Sequence, residues 1–288
     1  MAACRIKRER LADQRLRIPG SPAVSHALPL VYAVLLWFVG TGAVLWLDRR
    51  PARTHKLSLA AATLAAVLAL WCLDETARST SSIAAFAGFT CALVVWSMHE
   101  LAFLTGTVMG PRRAALPPGT TGFRRFRLAA LTLIHHEIAL ALTLALIAGL
   151  TWHQPNQTGT LAFATLFAMR LSAKLNIFIG LPHVSTEMLP ETHRYLVSYY
   201  GRARVNLLFP QSLVACCATA YLFARAAFVA DTEGAQTTYI LVFGLTLLGL
   251  IEHTFLALPL RDARLWRWAM PDTALVPVNM PSDGRDHD

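Results

Sequence analysis

The sequence predicts an all-α fold, a polytopic bundle of about seven transmembrane helices, on three observations. Its apolar residues come in runs of about 17 to 27, the length that crosses ~30 Å of hydrocarbon at 1.5 Å per residue. Of the 288 residues 55% are hydrophobic and only 15% charged, with a mean hydropathy of +0.46, whereas a soluble domain carries roughly a quarter charged residues. Lys and Arg fall mostly in the short stretches between the runs, where they set topology and meet anionic lipid, so the net charge of +9 does not indicate a nucleic-acid partner.

The spans follow in order. Ala27 to Leu47 is too long for a signal-peptide core and ends in Asp48-Arg49-Arg50 with no small-residue cleavage site, so it is read as a retained helix. Leu57 to Leu73 follows Pro51 and is short. Ser82 to Met109 is long, and Gly110-Pro111 and Pro117-Pro118-Gly119 break the chain after it. Leu128 to Leu150 precedes Pro155, Thr160 to Leu181 precedes Pro182, and Asn206 to Ala230 and Thr237 to Leu258 complete the set. Gly106 and Gly110 form a GxxxG, better read as a helix stop than as a packing motif. The flanks give a basic polar tail over residues 1–26, expected to lack order, a membrane domain over 27–268 and a flexible tail over 269–288. Cys4, Cys72, Cys91, Cys216 and Cys217 have no metal or redox spacing and read as small core residues.

Basic residues orient the bundle. Arg49, Arg50, Arg53 and Lys56 mark loop one, five arginines between Arg112 and Arg127 mark loop three, and Arg194, Arg202 and Arg204 mark loop five, whereas the opposite face has only Arg78. This pattern predicts an outside N-terminus and a cytoplasmic C-terminus in a bacterial inner, intracytoplasmic membrane, although Arg5 to Arg17 in the N-terminal tail pull the other way. In loop five, near residues 182–205, Tyr195, Leu196 and Tyr199 predict a short amphipathic helix on the cytoplasmic membrane face.

Ionisable residues inside spans are rare because each costs about 2.5 to 3.5 kcal/mol at the bilayer centre. Here His99 and Glu100, then His135, His136 and Glu137, then Arg170 and Lys174 beside Asn176, then Glu252 and His253 lie in four different spans. Counting from the span ends places them at one depth, roughly 10 to 15 Å below the cytoplasmic face. His183 and Glu187, spaced i, i+4 just past the fifth span, are a candidate cap. A structural network would balance Glu100, Glu137 and Glu252 with Arg170 and Lys174. A divalent metal site would use His and Glu from facing helices, though no ExxH spacing supports it. Axial ligation of a tetrapyrrole by one His, and a proton or ion relay, complete the readings. No phosphate loop, nucleophile elbow or other catalytic motif is present, so no enzyme is expected.

Three strings carry a resemblance: LLWFVGTGAVLWLDRRP from Leu35 to Pro51, HELAFLTGTVMGPRR from His99 to Arg113, and KLNIFIGLPHVSTEMLPETHRYLVSYYGRARVNLLFP from Lys174 to Pro210. From about Leu28 to Trp268 the chain resembles the PuhE family of photosynthetic complex assembly proteins, the third string being the specific one. The resemblance implies a seven-span protein of purple phototrophic bacteria, encoded with the reaction-centre H subunit. It implies a role in bacteriochlorophyll supply and in assembly of the reaction-centre and core-antenna (light-harvesting) complex, whose subunits or other assembly factors would be its partners beside the lipid bilayer. It assigns no catalytic or ligand residues, so bacteriochlorophyll and a divalent metal both remain candidate cofactors, and the basic segment before Ala23 departs from the family pattern. The alternative is a membrane enzyme or transporter working at the His/Glu/Lys layer. A solvated cavity reaching Glu137 and Lys174 would favour it, and a closed, salt-bridged layer would favour the assembly factor.

Overall fold

The structure is a computed structural model and describes residues 22–182, 184, 186, 189–201, 206–258 and 268–269. Seven α-helices are long and apolar enough to cross a membrane: α1 (Pro22–Asp48), α2 (Ala52–Ala77), α3 (Ser82–Leu104), α4 (Gly122–Leu150), α5 (Thr158–Ile179), α6 (Leu208–Phe228) and α7 (Glu233–Ala257). The chain is a multi-pass membrane protein. A nine-residue 3-10 helix, η1 (Glu191–Tyr199), lies between α5 and α6.

α3 and α7 are the most enclosed helices, while α2 and α4 lie at the periphery. α2 packs chiefly on α3, α6 on α7, and α1 on α7 and α3, while α5 touches both central helices. Small residues permit the closest approaches: a Cβ on Gly244 would lie 3.0 Å from the Leu30 side chain, so glycine brings α7 against α1. At the end of the bundle away from the basic loops, Ser81 and Thr232 cap α3 and α7 by accepting from Ala84 N and Ala235 N. Asn156 there donates from its backbone N–H to Ala77 O and from Nδ2 to Thr76 O, tying the start of α5 to the end of α2.

Several expectations need correction. α3 ends at Leu104, not Met109, and at 23 residues it is shorter than the 26-residue α2. Gly106 takes φ +73°, and Thr107 and Val108 both donate back to Ala102 O, which stops the helix. The chain then runs along α4: Arg112 N donates to Leu131 O and His136 N to Met109 O, and a Cβ on Gly110 would lie 2.0 Å from Leu131 O. Gly106 is thus a stop and Gly110 a close backbone approach. In loop five the helix is 3-10 rather than α, and its three-residue period buries His193, Leu196 and Tyr199 against protein instead of lipid. Of the span cysteines, Cys91 and Cys216 are buried and Cys72 is half-buried, but Cys217 is exposed, because adjacent helical residues point ~100° apart.

Candidate functional site

The predicted layer forms at the ends of the helices that adjoin the basic loops. Lys174 is five residues from the end of α5, Glu252 five from the end of α7 and His99 five from the end of α3. At 1.5 Å per residue the layer is therefore about 7.5 Å from the ends of α3, α5 and α7, nearer than the 10 to 15 Å expected because all three helices stop before the predicted span ends, whereas Glu137 lies 15 residues inside α4, which starts at Gly122 rather than Leu128.

Two ion-pair groups organise it. Lys174 Nζ donates to Glu137 Oε1 at 2.6 Å, joining α5 to α4. Arg170, one turn earlier on α5, donates to Glu252 Oε1 on α7 at 2.7 Å and lies 3.8 Å from Glu100 Oε2 on α3. The i, i+4 spacing puts both cations on one side of α5, each facing carboxylates of other helices. Three carboxylates face two cations, so two acceptor atoms, Glu100 Oε1 and Glu137 Oε2, are buried without a hydrogen-bond partner among the described residues.

The histidines divide. His99 Nε2 is bonded to Thr143 Oγ1 at 2.9 Å, and His253 Nδ1 donates to Gly249 O at 2.8 Å while its Nε2 meets Ser172 Oγ at 3.0 Å. The polar chain continues through Ser212 to Asn176. His136 is fully buried with no hydrogen-bond partner on either ring nitrogen among the described residues; its ring packs 4.8 Å from Phe103, and the charges of Lys174, Glu100 and Arg170 act on it. His135 is exposed on the outer face of α4, outside the layer. Among the described residues no three His, Cys, Asp or Glu side chains converge to hold a metal.

A lid that the sequence did not reveal covers the layer. His193 of η1 donates through Nε2 to Phe103 O at 3.0 Å, Arg112 Nε donates to Tyr199 Oη at 2.6 Å, and Tyr199 Oη donates to Ala114 O. Arg125 donates to both Phe178 O and Tyr199 O, with its guanidinium 4.1 Å from the Phe178 ring centre. Burial pushes the Tyr200 hydroxyl up to about 12 against the opposing charge of Arg170, so the end of η1 reaches the layer. Burial holds His193 below its ordinary value, with the Phe103 carbonyl raising it and Arg113 lowering it further. Non-helical backbone is tolerated at such a position because it is covered by protein. Tyr199, Arg112 and Arg125 were legible only as an amphipathic pattern and topogenic charges. His183 and Glu187, the candidate cap, lie outside the described residues.

Beside the layer, α1, α3, α5 and α7 enclose a cavity of about 390 Å³. Trp37, Trp96 and Phe255 contribute to its apolar wall, and Glu100, Arg170 and Glu252 are its charged lining. Neither Glu137, Lys174 nor any of the four histidines predicted for the layer lines it. The residues therefore do not fit a tetrapyrrole ligated inside this cavity.

A family model described as "Protein of unknown function (DUF3623)" matches residues 23–275. The chain belongs to the DUF3623 family. It is also 39% identical over 243 residues, 83% of this chain and 88% of the relative, to a Rhodobacter capsulatus protein named "Uncharacterized 30.4 kDa protein in puhA 5'region". No solved structure matches the chain. The matched region covers all seven spans, and the segment preceding it is the basic stretch that departs from the resembled pattern.

Proposed function

We propose that this chain is a non-enzymatic membrane factor for assembly of the photosynthetic reaction-centre and core-antenna complex, acting through supply or delivery of bacteriochlorophyll. The observation that supports this best is the state of the layer: the Lys174–Glu137 pair is bonded at 2.6 Å and does not border the cavity. Four helices, α3, α4, α5 and α7, are held together there by charge pairs, as a scaffold requires. The relative in the puhA 5' region accords with the family resemblance and its photosynthetic partners. In this reading the membrane is the bacterial inner membrane, the N-terminus is outside and the basic loops with their lid face the cytoplasm, where pigment or nascent subunits are held on the surface of the bundle.

Deleting the gene in its phototrophic host and recording near-infrared membrane spectra tests the proposal. Selective loss of the reaction-centre and core-antenna bands is expected, restored by the gene in trans; unchanged bands at full growth overturn it. A second reading, a membrane enzyme or transporter, draws on the cavity reaching Arg170, Glu100 and Glu252. Turnover or flux lost in Arg170→Met, with the spectra intact, would favour that reading.

A further inference from the structure

The cavity has features that the assembly role does not use. Its wall is mostly apolar and aromatic, its volume of about 390 Å³ falls at the lower end of the ~300–1,000 Å³ typical of small-ligand sites, and its charged groups are Glu100, Arg170 and Glu252, beside the hydroxyls of Thr41, Ser97 and Thr165. Val34, Leu35 and Ile251 belong both to its lining and to the exposed outer surface of the bundle, so it communicates with the surroundings of the helices rather than with the loops. A molecule dissolved in the bilayer can enter there without crossing water.

The charges define the head group. Arg170 is engaged by Glu252 at 2.7 Å and by Glu100 at 3.8 Å, leaving these three groups with one net negative charge. Glu100 lines the cavity with 17% of its side-chain surface accessible, and its Oε2 lies 3.8 Å from Arg170, too far for a hydrogen bond. An acceptor placed there is stabilised by a donor, whereas a carboxylate, phosphate or sulfonate head would bring a second uncompensated negative charge to a site out of water. A full cationic head would lose its hydration to gain one carboxylate oxygen already shared with Arg170.

We propose that the cavity between α1, α3, α5 and α7 binds one bilayer-dissolved molecule, an elongated hydrocarbon ending in a neutral hydrogen-bond donor such as a hydroxyl group, whose head donates to Glu100. The aromatic wall holds the chain and Glu100 selects the head. The site is independent of the identity of any assembly partner.

The test uses the full chain in phosphatidylcholine vesicles and four diazirine-bearing probes of equal chain length: an alkanol, an alkyl sulfonate, an alkylammonium and a plain alkane. Photolabelling is mapped by peptide mass spectrometry. The alkanol is expected to label peptides containing Trp37, Trp96 or Phe255 saturably and about tenfold more strongly than the sulfonate or the alkane, the ratio that ~1.4 kcal/mol supplies. In Glu100→Gln the remaining Arg170–Glu252 pair is neutral, so the bundle keeps its charge balance, and the alkanol advantage over the sulfonate should fall to within about threefold. Gly40 lines the cavity, and a Cβ there has only Ser97 Oγ within 4 Å, at 3.8 Å, so Gly40→Leu should fill the space and abolish saturable labelling by every probe. Equal labelling by alkanol and alkane means ordinary lipid tails and overturns the proposal. Preference for the sulfonate or the ammonium, or an alkanol preference unchanged in Glu100→Gln, overturns the head-group assignment. None of these readouts depends on pigment or on the phototrophic host, so failure here leaves the assembly reading to its own test.

Discussion

Removing Lys174 while keeping Glu137 probes whether the layer is structural. At an effective dielectric of about 20, unit charges at their 2.6 Å separation attract by about 6 kcal/mol, much of it offset by the desolvation of both groups. The two side chains are only about a fifth exposed, at 20% and 19%, and Glu137 Oε2 has no hydrogen-bond partner among the described residues. Lys174→Met therefore strands a whole carboxylate and should destabilise the protein by about 3 kcal/mol, the lower end of the range for breaking a buried pair. At about 2–4 °C per kcal/mol, the midpoint of thermal unfolding in detergent should fall by about 6 to 12 °C. Glu137→Gln should fall comparably, since it strands the ammonium, and the double substitution should recover most of the loss because no charge is left behind. Far-ultraviolet circular dichroism, which reads helix content, follows all four proteins. A double variant no more stable than the worse single variant would refute the pairing.

Four further outcomes follow from the same geometry. His136→Phe should change stability by less than about 1 kcal/mol, because neither ring nitrogen has a hydrogen-bond partner among the described residues; a bound chromophore or metal lost from the purified protein on this change would assign His136 as a ligand. The native His193 binds its proton less readily than the unfolded residue, whose ordinary value is 6.5, so its contribution to stability is complete above that value and is lost as pH falls below it toward the depressed native value. Proteolysis of loop five should accelerate over that acidic range in the native chain and lose this dependence in His193→Gln. Arg125 gives its bonds to Phe178 O and Tyr199 O from the single nitrogen Nη2, so Arg125→Lys keeps the charge but loses the longer reach that sets both bonds and the planar group stacked on Phe178, and a loss of about 1 to 3 kcal/mol is expected by thermal unfolding. Reporter fusions after Arg53 and Gly119 should both read cytoplasmic; a periplasmic signal at Gly119 would reverse the orientation.

The sequence by itself determined the seven helices, because a bilayer imposes a length and a hydropathy on any segment that crosses it, and both are local properties. It also determined that Glu100, Glu137, Arg170, Lys174 and Glu252 share a depth, since depth along a helix is a count of residues. Partner choice was beyond it. That Lys174 takes Glu137 while Arg170 takes Glu252 and Glu100 depends on which helices adjoin α5 and at what rotation, and apolar faces all round these helices leave no periodicity to report rotation. The same ambiguity separated His135 from His136: consecutive on the chain, one is exposed on the outer surface and the other fully buried beside Phe103. The lid was hidden for a different reason. Arg112, Arg125, His193 and Tyr199 come from segments up to 87 residues apart and meet through backbone carbonyls and a single phenol, contacts that any residue's main chain can supply and that no motif marks. The cavity, finally, is the space left where α1, α3, α5 and α7 fail to close on one another, and only the packing of all four helices decides that.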